Sequence, residues 1–235
     1  PTRRQWLLSL LTGTLMFLVG NGFVALASRQ LPSGVLAMSV GAMPLFLAAM
    51  EAVLGQRLPP RQWLWLGLGF AGVASMGVVD ARHAPVAALL LVLAPLGWAL
   101  GSLCVRKLDM PKGMMAAATQ MICAGVVMGA LGVGMGERFT AWPTPKAWLA
   151  FVYLVFFGSI VAFSACLFLL RETSGPIATS YAYVNPLLGA ALGALVAGER
   201  LSTEIVMSGL LVVLGVATLL TSPSATTTAT AKTRA

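Results

Sequence analysis

The chain has 235 residues, 58% hydrophobic and only 9% charged, with a net charge of +8 and a mean hydropathy of +0.89. Soluble domains carry about 25% charged residues, so a water-soluble globule is excluded. The positive charges flank apolar runs, where they serve membrane insertion, and the basic balance is therefore no sign of nucleic-acid binding.

About 20 apolar residues cross the roughly 30 Å of bilayer hydrocarbon. Taken in chain order, the candidate spans are Trp6–Ala27, Ser33–Gly55, Trp63–Val79, Pro85–Val105, Gly113–Gly134, Ala147–Leu170, Pro176–Gly198 and Ile205–Thr221. The expectation is an all-α polytopic membrane protein with eight transmembrane helices. The connections are short and hold nearly all the charges, which leaves no room for a soluble domain between spans. Residues 222–235 are rich in Ser, Thr and Ala and read as a disordered tail. The first span is too long for a cleavable signal and lacks a cleavage pattern. The chain opens at Pro1 without an initiator Met, so its native start is expected upstream.

With eight spans, the even-numbered loops share a side with both termini. That side holds Arg3, Arg4, Arg57, Arg61, Arg106, Lys107, Lys112, Arg171, Lys232 and Arg234, against Arg29, Arg82, Arg138, Lys146 and Arg200 on the other. The excess predicts cytoplasmic N- and C-termini. Trp6, Trp63, Trp65 and Trp148 fall at span ends, where amphipathic rings favour the interface.

The chain also repeats itself. Trp6, Arg29 and Pro44 return as Trp148, Arg171 and Pro186, all at one constant offset. The register then slips by one, so that Gly72-Val73-Ala74 returns as Gly215-Val216-Ala217. The first span recurs as the sixth. Five spans is an odd number, so the second copy enters the membrane inverted. The predicted organisation is a partial first repeat of three helices (1–79), a second repeat of five (80–221) and the tail (222–235). The fourth and fifth spans have no upstream counterparts, so the complete architecture is a 5+5 inverted-repeat helix bundle with two further helices before Trp6.

The run Ser180-Tyr181-Ala182-Tyr183-Val184-Asn185-Pro186-Leu187-Leu188-Gly189, closing on Gly198-Glu199-Arg200-Leu201, resembles the EamA family of the drug/metabolite transporter superfamily. Leu31-Pro32-Ser33-Gly34, Val40-Gly41-Ala42-Met43-Pro44-Leu45-Phe46, Gly113-Met114-Met115-Ala116 and Phe157-Gly158-Ser159-Ile160 extend the resemblance, which covers nearly everything from Trp6 to Leu220. It implies a ten-helix inner-membrane carrier with cytoplasmic termini that moves metabolites or drugs, more often outward than inward. It also implies that the first helix of the family's fold, absent here, contributes to a central cavity.

Pro44, Pro95 and Pro186 lie inside spans. Each removes a backbone donor, and such breaks survive in lipid where neighbours or cavity water satisfy the freed carbonyl. The repeat-equivalent Pro44 and Pro186 are hinge candidates; a static kink is the alternative. Asn185 with Tyr181 one turn before it forms a polar face that needs a partner, either another helix or a substrate. Asn21, Ser39 and Ser164 are candidates to complete a cavity lining, and Trp98 is either a packing residue or an aromatic wall. Glu51 sits one turn from a cytoplasmic span end. It snorkels, pairs with Arg57, or serves as a proton or cation site.

Gly67-Leu68-Gly69-Phe70-Ala71-Gly72 spells a dinucleotide fingerprint, but inside an apolar span and without the required strand it reads as helix packing. The pairs Gly97/Gly101, Gly125/Gly129 and Gly189/Gly193 carry the same packing meaning. Cys104, Cys123 and Cys166 lie in three different spans as small packing residues, and no metal site or cofactor is expected. No span offers paired aspartates, a Ser with its base, or metal ligands, so an enzyme is not expected. The inverted repeat and the resemblance together imply a secondary transporter acting by alternating access on a small-molecule substrate within the lipid bilayer, and the Tyr, Trp, Asn and Ser of the candidate lining favour amino acids or amphipathic drugs. A non-transporting module that needs a partner protomer, as in a homodimer, is the competing expectation.

Overall fold

The computed structural model describes residues 1–55, 59–81, 84–138, 142–163, 165, 188–189, 191–195, 198 and 203–221. The long helical segments are α1 (Arg3–Ala27), α2 (Ser33–Val53), α3 (Pro60–Ala81), α4 (Pro85–Lys107), α5 (Met114–Gly134), α6 (Pro145–Ala162) and α7 (Thr203–Thr221). The described residues contain no strand. Of these segments α1, α2, α4, α5 and α6 are long and apolar enough to cross a membrane. Helices α3 and α7 occupy the expected third and eighth spans. About two thirds of the expected seventh, Pro176–Gly198, lies outside the described residues, as do the whole tail and the run from Ser180 to Leu187.

Helix starts follow local chemistry. Thr2 and Gln5 form a capping box before α1: the Gln5 N–H donates to Thr2 Oγ1 at 3.2 Å, and the Thr2 N–H to Gln5 Oε1 at 3.1 Å. Helices α3, α4 and α6 each begin on a proline, whose fixed φ suits the first turn and whose missing N–H has no helical partner there anyway. The turn after α5 uses Gly136 at φ +78°, a conformation that side chains disfavour.

The interiors are less regular. In α1 the segment Thr14–Gly22 is π-helical, and in α6 so is Leu154–Ala162. Runs of this kind rarely exceed a single turn and recur at functional sites. The separation of their first residues, Thr14 and Leu154, is close to the repeat offset. Helix α2 consists of Ser33–Val40 and Met43–Val53, interrupted at Gly41-Ala42, with Pro44 in the first turn of the second piece. Pro44 thus starts a half-helix in mid-span.

Glycines set how closely helices approach. A methyl at Gly97 would lie 2.6 Å from Val19 Cγ1 and 2.8 Å from Leu15 O, and one at Gly101 would strike Met16. The α1–α4 contact therefore runs nearly backbone to backbone, and partners fall along α1 as residue numbers rise along α4, so the two are antiparallel. The same logic joins α3 and α7. A methyl at Gly72 would meet Ser208 O at 2.7 Å, while one at Gly215 would meet Gly69 Cα at 2.7 Å and Trp65 O at 2.9 Å. Ser75 Oγ donates to Ser208 Oγ at 2.8 Å. These helices too are antiparallel. Gly125 and Gly129, by contrast, have nothing within 4 Å among the described residues, where they do not act as packing glycines. The dinucleotide-like glycines lie within the continuous helix α3, where Gly69 meets Leu45 and Gly67 meets nothing.

The apolar core is distributed along these crossings. Ala27, Val35, Ala87 and Leu91 join α1, α2 and α4. Ala42, Leu45, Leu66, Val73, Val212 and Val216 join α2, α3 and α7. Outward faces carry Leu7, Leu64, Val126, Leu149 and Phe156, all exposed, an arrangement suited to lipid as solvent. Trp6, Trp63 and Trp148 are exposed as interface residues should be. Trp65 departs from that expectation: its buried Nε1 finds no acceptor.

Substituting Gly72 or Gly215 by Leu should destabilise the fold by about 2 kcal/mol, the scale of overpacking. Gly125→Leu should stay within about 0.5 kcal/mol, as surface changes do. Unfolding of the three variants in detergent checks this, and equal losses would refute the glycine-governed crossing.

Candidate functional site

Asn21 and Trp98 were singled out separately in the sequence, and the fold brings them together. Asn21 ends the π-helical stretch of α1; Trp98 stands in the middle of α4. Gly20 leaves room for the indole, since a methyl there would strike Trp98. The indole Nε1 then donates to Asn21 Oδ1 at 3.1 Å. This bond engages the amide oxygen and leaves the two N–H donors of Asn21, an exposed residue, for another partner.

Aromatic rings pack behind this pair, with Phe17 and Trp98 half-buried and Phe163 buried. Phe17 packs against Trp98 with centroids 6.0 Å apart and planes at 60°, and against Phe163 at 5.6 Å and 58°. Such tilted pairs are favourable by about 0.5–1.5 kcal/mol beyond burial. Phe163 closes the π segment of α6 and is the repeat counterpart of Asn21, at the same offset that separates Trp6 from Trp148. Positions separated by that offset therefore meet around one set of rings. The sequence reading missed Phe17 and Phe163; their register relative to Asn21 was the available signal. Ser164, Tyr181, Asn185 and Pro186, the other lining and hinge candidates, lie outside the described residues.

Ser39 has a different place. It is buried, and its hydroxyl donates to Leu91 O at 2.6 Å. Leu91 is four residues before Pro95, and its carbonyl is the one Pro95 cannot satisfy for want of an N–H. Ser39 supplies the missing donor from the neighbouring helix and so lets α4 run unbroken from Pro85 to Lys107. It acts as a support for the wall that carries Trp98.

Glu51 pairs with Arg106, Oε1 to Nη1 at 2.5 Å, joining the ends of α2 and α4. Arg57, the partner expected from sequence, lies outside the described residues. Ser39 meets Leu91 and Glu51 meets Arg106, so residue numbers rise together and α2 and α4 are parallel. Because Arg106 is 56% exposed, the pair is worth no more than about 1 kcal/mol.

A second polar group, missed in the sequence, lies between α1 and α5. Ser9, Thr12, Thr119 and Gln120 are all buried. Thr119 donates to Met115 O at 2.8 Å, which leaves Ser9 to donate to Thr119 Oγ1 at 2.9 Å. Gln120 presses its backbone against Gly13, and its Nε2 has no partner among the described residues. The three-residue spacing of Ser9 and Thr12 was the legible signal. Cys104 and Cys123 are free thiols, Cys166 lies outside the described residues, and the described residues offer no metal-binding cluster.

Comparison with known proteins assigns the class. The model of the EamA-like transporter family matches residues 1–78 and 85–221, and the chain belongs to that family of membrane transporters. Among individual relatives, it is 38% identical over 204 residues to the uncharacterized inner membrane transporter YedA of Escherichia coli K12, covering 86% of this chain and 67% of that protein. YedA of Escherichia coli O157:H7 gives the same figures. A solved crystal structure shares the fold with a TM-score of 0.58 at 21% identity, over 92% of this chain and 89% of the other.

If Ser39 stands in for the lost backbone donor, Ser39→Ala should destabilise by about 1 kcal/mol. In a Pro95→Ala background, where residue 95 regains its N–H, the same change should have almost no effect. A double-mutant cycle on unfolding in detergent measures the coupling; strictly additive effects would remove the assignment.

Proposed function

We propose that the chain is the transporting unit of a secondary carrier in the bacterial inner membrane, exporting small metabolites such as amino acids or amphipathic drugs by alternating access. The convergence of Asn21, Trp98, Phe17 and Phe163 carries this reading. Amide donors beside a half-buried cluster of aromatic rings suit a solute with a carboxylate or carbonyl acceptor and an apolar body. No described span places Lys or Arg at its centre to hold a phosphate, which favours neutral or zwitterionic solutes.

An inverted 5+5 repeat is the architecture that makes alternating access natural, because two similar halves of opposite sense open to either side in turn. The antiparallel contact of the repeat-equivalent α3 and α7 supports it, as do the two π segments. The distribution of Lys and Arg supports cytoplasmic termini. Any proton coupling falls to Glu51, the carboxylate that the expected spans enclose.

A second reading has its own observation. Residues Pro145–Ala162 of α6 include none that is buried, so a module that completes itself against a partner protomer is the competing proposal. Both are decided in proteoliposomes. Amino-acid efflux from purified chain supports the carrier; stable complexes without efflux support the module. In the carrier, Asn21→Ala and Trp98→Ala should each raise KM about tenfold, the scale of one hydrogen bond or one aromatic contact. A normal KM in both folded variants rejects the site. Efflux by Glu51→Gln that keeps its full pH dependence removes Glu51 from coupling.

Arg57→Cys and Arg200→Cys should react with impermeant thiol reagents from opposite faces of the membrane. Labelling of both from one face would overturn the inverted arrangement and, with it, alternating access by two opposed halves.

A further inference from the structure

A groove of about 410 Å³ lies between α2 and α4. Its walls are Phe46, Ala49, Met50, Val53, Leu96 and Leu103, apart from the Asn21–Trp98 seat. The lining offers no group that would orient a polar solute. One turn beyond Leu103, on the same helix face, stands Arg106. Glu51 engages its Nη1, yet 56% of the Arg106 side chain remains open, and the neighbouring Lys107 is exposed as well. An apolar trough between two membrane helices thus ends at a basic rim. Guanidinium groups favour phosphate through strong charge-assisted hydrogen bonds, and basic sites of this kind between transmembrane helices suit anionic lipid headgroups.

We propose that this groove binds an anionic glycerophospholipid of the surrounding bilayer, one acyl chain lying along Phe46, Met50 and Leu96 and the phosphate resting on Arg106. A zwitterionic lipid is held less well, because its own ammonium offsets the phosphate charge. The Glu51 carboxylate and the lipid phosphate are competitors for the same guanidinium. Glu51 therefore limits the affinity of the site while it ties α2 to α4.

The competition gives the test its direction. Full-length chain is purified in detergent, incubated with equimolar phosphatidylglycerol and phosphatidylcholine, and the retained lipid is measured by mass spectrometry. Phosphatidylglycerol should be retained at least fivefold over phosphatidylcholine. Arg106→Gln should abolish that preference, Glu51→Gln should raise it two- to threefold, and Ala49→Phe, which fills the groove, should lower retention of both lipids. Equal retention by the unsubstituted chain overturns the proposal, as does a preference that falls in Glu51→Gln or persists in Arg106→Gln. A second copy of the chain or a helix covering the groove would leave lipid retention indifferent to Ala49→Phe, which also overturns it. Opposite shifts in the Glu51 and Arg106 variants are not what a shared folding defect produces, so the result holds even where Ala49→Phe folds poorly. The readout is bound lipid and not flux, so its failure leaves the transport reading intact.

Discussion

Hydrocarbon offers a backbone amide or carbonyl no partner, and this constraint shapes the polar contacts between the described helices. Pro95 would leave Leu91 O unsatisfied in the middle of α4, and Ser39 reaches across from α2 to occupy it. The polar side chains of the α1–α5 contact obey the same demand. Thr12 donates to Leu8 O in its own helix, Thr119 to Met115 O, and Ser9 is left to bridge the two helices. Gln120 is the exception. Its amide nitrogen is buried without an acceptor among the described residues, a state unfavourable by about 1–3 kcal/mol. It lies against Gly13, immediately before the π-helical stretch of α1. Imperfect satisfaction and irregular winding coincide there.

Lipid also removes the hydrophobic drive between helices, which leaves close packing to hold them. The α3–α7 crossing shows how a repeat is suited to that task. Gly72 of one copy receives the backbone around Ser208, and Gly215 of the other receives the backbone around Trp65 and Gly69. In the register that pairs Gly72 with Gly215, Ser208 is the counterpart of Trp65 and Val212 that of Gly69. The same patch thus meets its own copy, with contacts exchanged as across a two-fold interface. A substitution in one copy is felt by the unsubstituted face of the other, so both copies must keep glycine at this position. The polar residue at Ser208, however, has an indole as its counterpart, and the buried Nε1 of Trp65 is left without a partner.

Helix identity was legible because span length and apolar content leave few alternatives in a membrane chain. Pro85 starts its helix in the sequence as in space, whereas Pro60 and Pro145 start theirs a few residues before the expected Trp63 and Ala147, where the polar first turn hides the start from apolar content. Four-residue glycine spacing was a weaker guide. It reports that helices are able to approach, and only the partner decides whether they do: Gly97 and Gly101 have α1, whereas Gly125 and Gly129 meet nothing among the described residues. Asn21 and Trp98 were each recognisable as unusual in a span, but their bond depends on the phase of α1, which the π-helical stretch alters by lengthening each turn. Sequence carries no mark of that change. Ser39 was noticed for its polarity and assigned to a cavity lining. The deciding fact was its register against Pro95 on another helix, which periodicity along one helix does not contain.

These elements divide the molecule by stiffness. The α3–α7 crossing is held at backbone distance and is backed by Leu45, Val212 and Val216. Helix α1 contains a π segment, α6 contains another and buries no residue between Pro145 and Ala162, and α2 breaks at Gly41-Ala42. Under the alternating-access reading, a carrier needs a fixed reference and a movable wall around its solute. The candidate seat is built from the second class of element: Asn21 and Phe17 from the π stretch of α1, and Phe163 from the end of the π stretch of α6. Only Trp98 comes from a continuous helix, and that helix is continuous through its proline because Ser39 closes the gap. The geometry thus sets one anchored aromatic ring opposite side chains whose backbones are wound most loosely, which is the arrangement a site needs if it is to change its exposure without losing its solute.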